Sequence, residues 1–245
     1  MTAAPAMPRT RSEPLTPPAA VERSADGIYR AIYAAVLEHR LAPGMRLREE
    51  ELAQTFDVSR TLVRQALHRL AQDGVVALRP NRGAVVPEPT RSDGEHVFDA
   101  RRVVECEIAR RLAGRLDAAQ VAELRGIVDA ETRASEAGER HEAIRLSGEF
   151  HRCLAQMSGN PIFVRMLGEL LPTTSLLMAL YKAPGQPMCV AHGHPKLLDV
   201  LTQGRGATAA TEMRRHLDEI ERSLDAPSAR AAPPLRDVFK GYRGV

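Results

Sequence analysis

Val58-Ser59-Arg60-Thr61-Leu62-Val63-Arg64-Gln65-Ala66-Leu67-His68-Arg69-Leu70 is the stretch that decides how this chain folds. Leu62, Val63, Ala66, Leu67 and Leu70 recur at intervals of three and four, so they share one face of a helix. Ser59 stands just before that face, and its hydroxyl suits an N-cap. The spacing predicts a helix from Arg60 to Gln72, ended by Gly74. Its other flank carries Arg60, Thr61, Arg64 and Gln65, with the two arginines four apart and aimed the same way. From Ser59 to Arg82 five arginines stand against one acid, Asp73. A local excess of positive charge inside a near-neutral chain is the footprint of a phosphate-contacting surface, although a solvated helix face reads the same way.

Working outward, Ile28, Ile32, Ala35, Val36 and His39 fall at helical spacing, and Pro43-Gly44 breaks the chain. Met45 to Leu47 reads as a short extended piece. Glu49 to Phe56 reads as a second helix, with Leu52, Ala53 and Phe56 inward and Asp57-Val58 as a tight turn. Downstream, Val75–Leu78 and Ala84–Val86 flank Arg79-Pro80-Asn81-Arg82-Gly83, which predicts a two-stranded hairpin. Helix, turn, capped helix and hairpin together make a winged helix-turn-helix. In that geometry the N-terminal end of the helix capped at Ser59 enters the major groove of DNA. Arginine there can pair with guanine O6 and N7, and glutamine with adenine. Arg79 and Arg82 on the wing would meet phosphate or the minor groove. A winged helix that binds protein is the competing reading.

The rest of the 245 residues bounds the function. Net charge is +3, and 44% of residues are hydrophobic, which suits one or two folded domains. No run approaches the roughly 20 apolar residues of a membrane span, and residues 1–20 lack the apolar stretch of a secretory signal. Cys106, Cys153 and Cys189 form no CxxC pair, so neither a disulfide scaffold nor a cysteine-zinc module is indicated, and a cytoplasmic location is expected. Aromatics are only 4% and tryptophan is absent, which disfavours stacking on nucleobases. Prolines at 5, 8, 14, 17 and 18 suggest a disordered arm over 1–24. Pro87 and Pro89 mark a linker. The expected order is the arm, a DNA-binding domain over 25–89, an all-helical domain over 90–225, and a flexible basic tail over 226–245.

Six helices are predicted in the second domain, at about 94–115, 117–137, 139–157, 160–181, 190–204 and 206–225. Asn160-Pro161 is a helix start, with a cap before Pro at the first helical position. Several polar residues sit on apolar stripes. Arg101 lies among Val97, Val104, Ile108 and Leu112, His151 among Ile144, Ser147 and Leu154, and His194 with Leu197, Leu198 and Leu201. His216 lies between Met213 and Ile220. Three imidazoles from three helices could form a ligand set for zinc or a similar divalent ion in a bundle core. Each alone could instead be a hydrogen-bonded core histidine, and Arg101 could simply pair with Glu105 one turn on.

These residues carry a family resemblance. Leu41-Ala42-Pro43-Gly44-Met45-Arg46-Leu47-Arg48-Glu49, the Val58–Leu67 stretch and Pro80–Val86 resemble, in order, three boxes of the GntR transcriptional regulators. Leu62 and Gln65 replace the usual Pro and Glu. Arg101-Arg102-Val103-Val104-Glu105, Phe150-His151-Arg152-Cys153-Leu154 and Ser158-Gly159-Asn160-Pro161 resemble the FCD domain of the FadR-type branch, as do the segments around His194 and His216. Six helices match its shorter, VanR-like form. The resemblance implies that Arg48, Arg60, Arg64 and the wing around Gly83 contact operator DNA. It also implies that His151, His194 and His216 are metal ligands. The family's aspartate ligand is Ser147 here. A fourth ligand could then come from water, effector or Glu149, or the site could be metal-free. Pro195 leaves His192 as a rival to His194.

The expected protein is therefore mainly α, a winged helix-turn-helix followed by an all-α bundle. It is expected to be a homodimeric, sequence-specific repressor of double-stranded operator DNA, controlled by a small organic acid and independent of membranes. Ser59, Arg60, Thr61, Arg64, Gln65, Arg48, Arg82 and Gly83 form the expected DNA surface. Arg101, Ser147, His151, His194 and His216 form the expected effector site. The alternative is a metal-dependent enzyme with an accessory winged helix. HExxH and GxSxG are absent and no general base stands beside the histidines, so no catalytic residue is assigned.

Overall fold

The computed structural model describes residues 22–79, 83–182, 193–224 and 234–239. The N-terminal unit runs α1 (Ala25–Leu37), β1 (Arg46–Leu47), α2 (Glu49–Phe56), α3 (Arg60–Gln72), β2 (Ala77–Arg79) and β3 (Gly83–Val85). Ile28, Ile32, Val36, Leu52, Phe56, Val63, Leu67 and Leu70 are buried where α1, α2 and α3 meet. Ser24 caps α1, accepting from Gly27 N at 3.0 Å, and Arg23 pairs with Asp57 at 2.6 Å. The expected arm over 1–24 falls almost wholly on residues 1–21, which lie outside the described ones. The sheet has three strands in the order β1-β3-β2, not the two of a simple hairpin. Arg46 faces Val85 and Leu47 faces Ala84, so the short piece after Pro43-Gly44 completes the wing. Val75 and Val76 are buried but not yet strand. Their N–H groups return to the Leu70 carbonyl, which delays β2 to Ala77.

The second unit is helical throughout: α4 (Arg91–Leu112), α5 (Ala118–Glu136), α6 (Arg140–Met157), α7 (Pro161–Tyr181), α8 (Gly193–Thr202) and α9 (Gly206–Arg222). Local chemistry sets the starts. Thr90 with Asp93, and Asp117 with Gln120, form reciprocal capping boxes, and Asn160 caps α7 ahead of Pro161. α4 packs along α9 and α7, and α5 along α6. α7 is the one helix among the described residues with the length and mean hydropathy to cross a membrane, although Arg165, Glu169 and Thr173–Ser175 interrupt its apolar run. Here it is a core helix, packed against α1, α4 and α6 and carrying a buried Pro172.

Among the described residues, hydrogen bonds and apolar packing join the units. Tyr33 donates to the Gly168 carbonyl at 3.1 Å, and Ser175 to the Leu37 carbonyl at 2.6 Å. Part of the expected flexible tail is also docked, which is a correction. Leu235–Val238 forms a single turn, α10, and Leu235, Val238 and Phe239 are buried. Phe239 meets Phe56 of α2 with ring centroids 4.9 Å apart, and Arg40 donates to the Val238 carbonyl at 2.8 Å. An apolar triplet flanked by basic residues reads as solvent-facing in sequence. It packs on the distant N-terminal unit, through Phe56 and Arg40.

Candidate nucleic-acid interface and metal centre

Ser59 accepts from Leu62 N at 3.4 Å and starts α3 beside the turn at Asp57, which adopts φ +52°. The apolar side of α3 is buried, although Leu62 is only half so. The other side is exposed at Arg60, Thr61, Arg64 and Gln65. An open groove of about 1150 Å³ runs between α2, α3 and the wing. Arg48, Arg60, Arg64 and Gly83 line it, together with Arg46, Gln54, His68, Leu78 and Arg79. Arg82 lies outside the described residues. Gly83 has φ +78°, and a Cβ there would sit 2.3 Å from the Leu47 carbonyl oxygen. The root of the wing therefore touches the start of α2.

Glu49 was missed in sequence, because fifteen residues separate it from its partner. Its carboxylate accepts two hydrogen bonds from Arg64, from Nε at 3.0 Å and Nη2 at 2.8 Å. Arg60 Nη2 stands 3.6 Å from the same carboxylate. The Arg64 fork holds the Glu49 carboxyl below its usual range.

The second site lies in the bundle core. His151 comes from α6, His194 from α8 and His216 from α9, and all three are buried. His151 Nε2 is 3.2 Å from His194 Nε2 and 3.4 Å from His216 Nε2. A tetrahedral metal with nitrogen ligands at its usual distance separates them by about 3.3 Å. Glu105 Oε2 lies 2.5 Å from His151 Nδ1, and Glu131 Oε2 lies 2.6 Å from His194 Nδ1. With both carboxylates accepting Nδ1–H, the two facing Nε2 atoms both present lone pairs. In that tautomer neither donates to the other, and a shared cation would resolve the conflict. Burial lowers the pKa of His151, only partly offset by Glu105. Burial and the neighbouring imidazoles push His216 well down. Both effects favour the neutral, metal-competent ring. Gly193 is needed for closeness, since a Cβ there would lie 2.6 Å from His216 Nδ1. The residues present thus fit a divalent ion.

Arg101 joins this site from α4. Its Nε meets Glu105 Oε1 at 2.5 Å and its Nη1 reaches Thr174 Oγ1 at 3.4 Å. Its buried Nη2 has no hydrogen-bond partner among the described residues. Burial would raise the Glu105 carboxyl, but Arg101 and His151 together overcome it and hold it at about 2. A cavity of about 40 Å³ lies against Arg101, Ser147, His151, Thr174, Ser175 and Leu37. Glu149 is not a candidate ligand. It is engaged with Arg152 and with Cys153, whose Sγ is 3.4 Å away. His192 lies outside the described residues. The sequence reading paired Arg101 with Glu105 but did not foresee Glu131, which reaches its imidazole from another helix.

Residues 24–86 match the family of bacterial regulatory proteins named for gntR, and residues 96–219 match the FCD domain. The chain belongs to the GntR family. It is 33% identical over 233 residues to an HTH-type transcriptional regulator in an unstable DNA locus of Streptomyces ambofaciens, covering 86% of this chain and 93% of that protein. It is 26% identical over 198 residues to the HTH-type transcriptional repressor RspR of Escherichia coli K12, covering 80% and 87%. E. coli McbR/YncC has the same fold, with a TM-score of 0.69 and 22% identity over 81% of this chain and 93% of that one. A GntR regulator from Rhodococcus sp. RHA1 aligns with a TM-score of 0.67 at 24% identity, covering 81% and 95%. These relatives are transcriptional regulators, not enzymes, so this GntR protein is a transcriptional regulator and the enzyme reading falls.

Proposed function

We propose that this GntR regulator is a cytoplasmic homodimeric repressor whose grip on double-stranded operator DNA is set by a small organic acid bound beside a divalent metal. Two winged helices would read the halves of a pseudo-palindrome through Arg48, Ser59, Arg60, Thr61, Arg64, Gln65, Arg82 and Gly83. Two relatives are named as repressors, RspR and a D-xylose utilization operon regulator of Paenarthrobacter nicotinovorans. His151, His194 and His216 would hold the metal, and Arg101 and Ser147 would face the acid.

The observation that carries this reading is the continuous chain Arg101–Glu105–His151, which ties a buried guanidinium, its Nη2 without a hydrogen-bond partner among the described residues, to the imidazole cluster inside one network. A carboxylate there would gain a bidentate partner and offset the charge of the metal. The cavity is far smaller than the roughly 300 Å³ or more of usual ligand pockets. A metabolite must therefore displace its walls. One wall is Leu37, the last residue of α1 in the DNA-binding unit. Filling the site would thereby favour one arrangement of the two units over another, which is the requirement for control.

Thermal melting of the full chain with EDTA, then with zinc added back, tests the metal. A stabilisation by zinc that His151→Ala abolishes is the expected result. A set of small carboxylates is then screened on the zinc-loaded protein. No zinc effect, or an equal effect on the variant, overturns the metal reading.

A further inference from the structure

Arginine offers five N–H donors in a planar fork. In Arg64 the Glu49 carboxylate takes the side of that fork, one bond from Nε and one from Nη2. The end of the fork is left, with both Nη1 hydrogens and the second Nη2 hydrogen unused by Glu49. Two parallel donors at the end of a guanidinium match guanine O6 and N7 in the major groove. The Arg64 side chain is 58% exposed and Glu49 only 16%. The acid is therefore the more recessed of the two, and both side chains line the groove, where the end of the fork not taken by Glu49 is available to a ligand.

Glu49 is itself well anchored. It is the first residue of α2, where a carboxylate is favoured by the free N–H groups of the helix start. Its backbone nitrogen also lies 3.4 Å from where a Cβ on Gly83 would stand, so the wing root limits its movement. Arg60 approaches the same carboxylate from one turn earlier on α3.

We propose that Glu49 is a positioning residue for base recognition, holding Arg64 side-on so that its free donor end reads a guanine. The inference rests on α3 being the DNA-reading helix. A long arginine left alone can swing to the nearest phosphate, which carries no sequence information. The two Glu49 bonds oppose that swing, and the carboxylate, which lines the groove, would repel the phosphates of a duplex seated there. Glu49 therefore lowers affinity for all DNA while raising the preference for one base.

Selection from a randomised duplex library with the full-length wild type gives a preferred duplex. Wild type, Glu49→Gln, Arg64→Ala and the double variant are then measured on that duplex, on its single-position substitutions and on a scrambled duplex. Melting curves establish that each is folded. Arg64→Ala is expected to lose roughly five- to a hundredfold of discrimination at one guanine. Glu49→Gln is expected to lose about three- to tenfold at that same guanine, a fraction of the direct contact, and to bind the scrambled duplex at least as tightly as wild type. In the Arg64→Ala background the Glu49 change should alter base preference no further. Equal weakening on every duplex, an intact preference in Glu49→Gln, or the same loss with Arg64 absent overturns the proposal. If Arg64→Ala itself keeps full affinity and preference, the assignment of α3 as reader fails instead.

Discussion

At the scale of single residues, Gly83 shows how little tolerance the wing has. Its φ of +78° is open mainly to glycine, and an added methyl would collide with the Leu47 carbonyl oxygen at 2.3 Å. The obstacle is backbone, so it cannot rotate away. Gly83→Ala is expected to destabilise the chain by about 1–3 kcal/mol, read as a lower urea midpoint. It should also weaken DNA binding, because the strand pair β1–β3 must open to relieve the contact. An unchanged midpoint would mean that the wing root shifts freely. Gly83 was legible in sequence as a wing glycine. Its contact with Leu47 was not, because 36 positions separate the two.

At the scale of elements, α3 and the end of α6 follow their sequence closely, whereas α4, expected at about 94–115, runs Arg91–Leu112 because the Thr90–Asp93 capping box starts it earlier. α3 runs Arg60–Gln72 and α6 ends at Met157, as their apolar spacing and flanking Ser, Asp and Gly residues predict. α10 is the counter-example. Four residues cannot sustain a helix alone, since nucleation costs more than one turn returns. Leu235–Val238 is helical because Leu235, Val238 and Phe239 are buried against the N-terminal unit. Phe239→Ala should cost about 1–3 kcal/mol, below the usual 3–5 for a buried phenylalanine, because so short a segment can leave its pocket instead of holding a cavity open. Amide exchange in α2 should rise with it, through the lost Phe56 contact. Unaltered exchange in α2 together with an unaltered melt would refute the docking.

At the scale of the whole molecule, one apolar core runs from Ile28 in α1 through Leu177 in α7 to Phe239. Hydrogen bonds from Tyr33 and Ser175 cross the same boundary. Units that share a core unfold together, whereas units joined by a linker melt separately. Scanning calorimetry is expected to give a single transition whose calorimetric and van't Hoff enthalpies agree. Two resolved transitions would show that the reader and the helical bundle are energetically independent, and that Leu37 transmits nothing between them.

The sequence alone determined most of the elements, their order and their chemistry; α10 and the third strand of the wing are the exceptions. Helix periodicity, N-caps and glycine stops are short-range properties, and so is the apolar stripe that turns His151, His194, His216 and Arg101 inward. The tertiary structure alone decided which of these groups meet. It placed Glu131 on His194, Glu49 under Arg64, β1 against β3 and Phe239 on Phe56. Each of these pairings joins residues far apart in the chain, and a helical or strand period specifies only which way a side chain faces, never what stands opposite it.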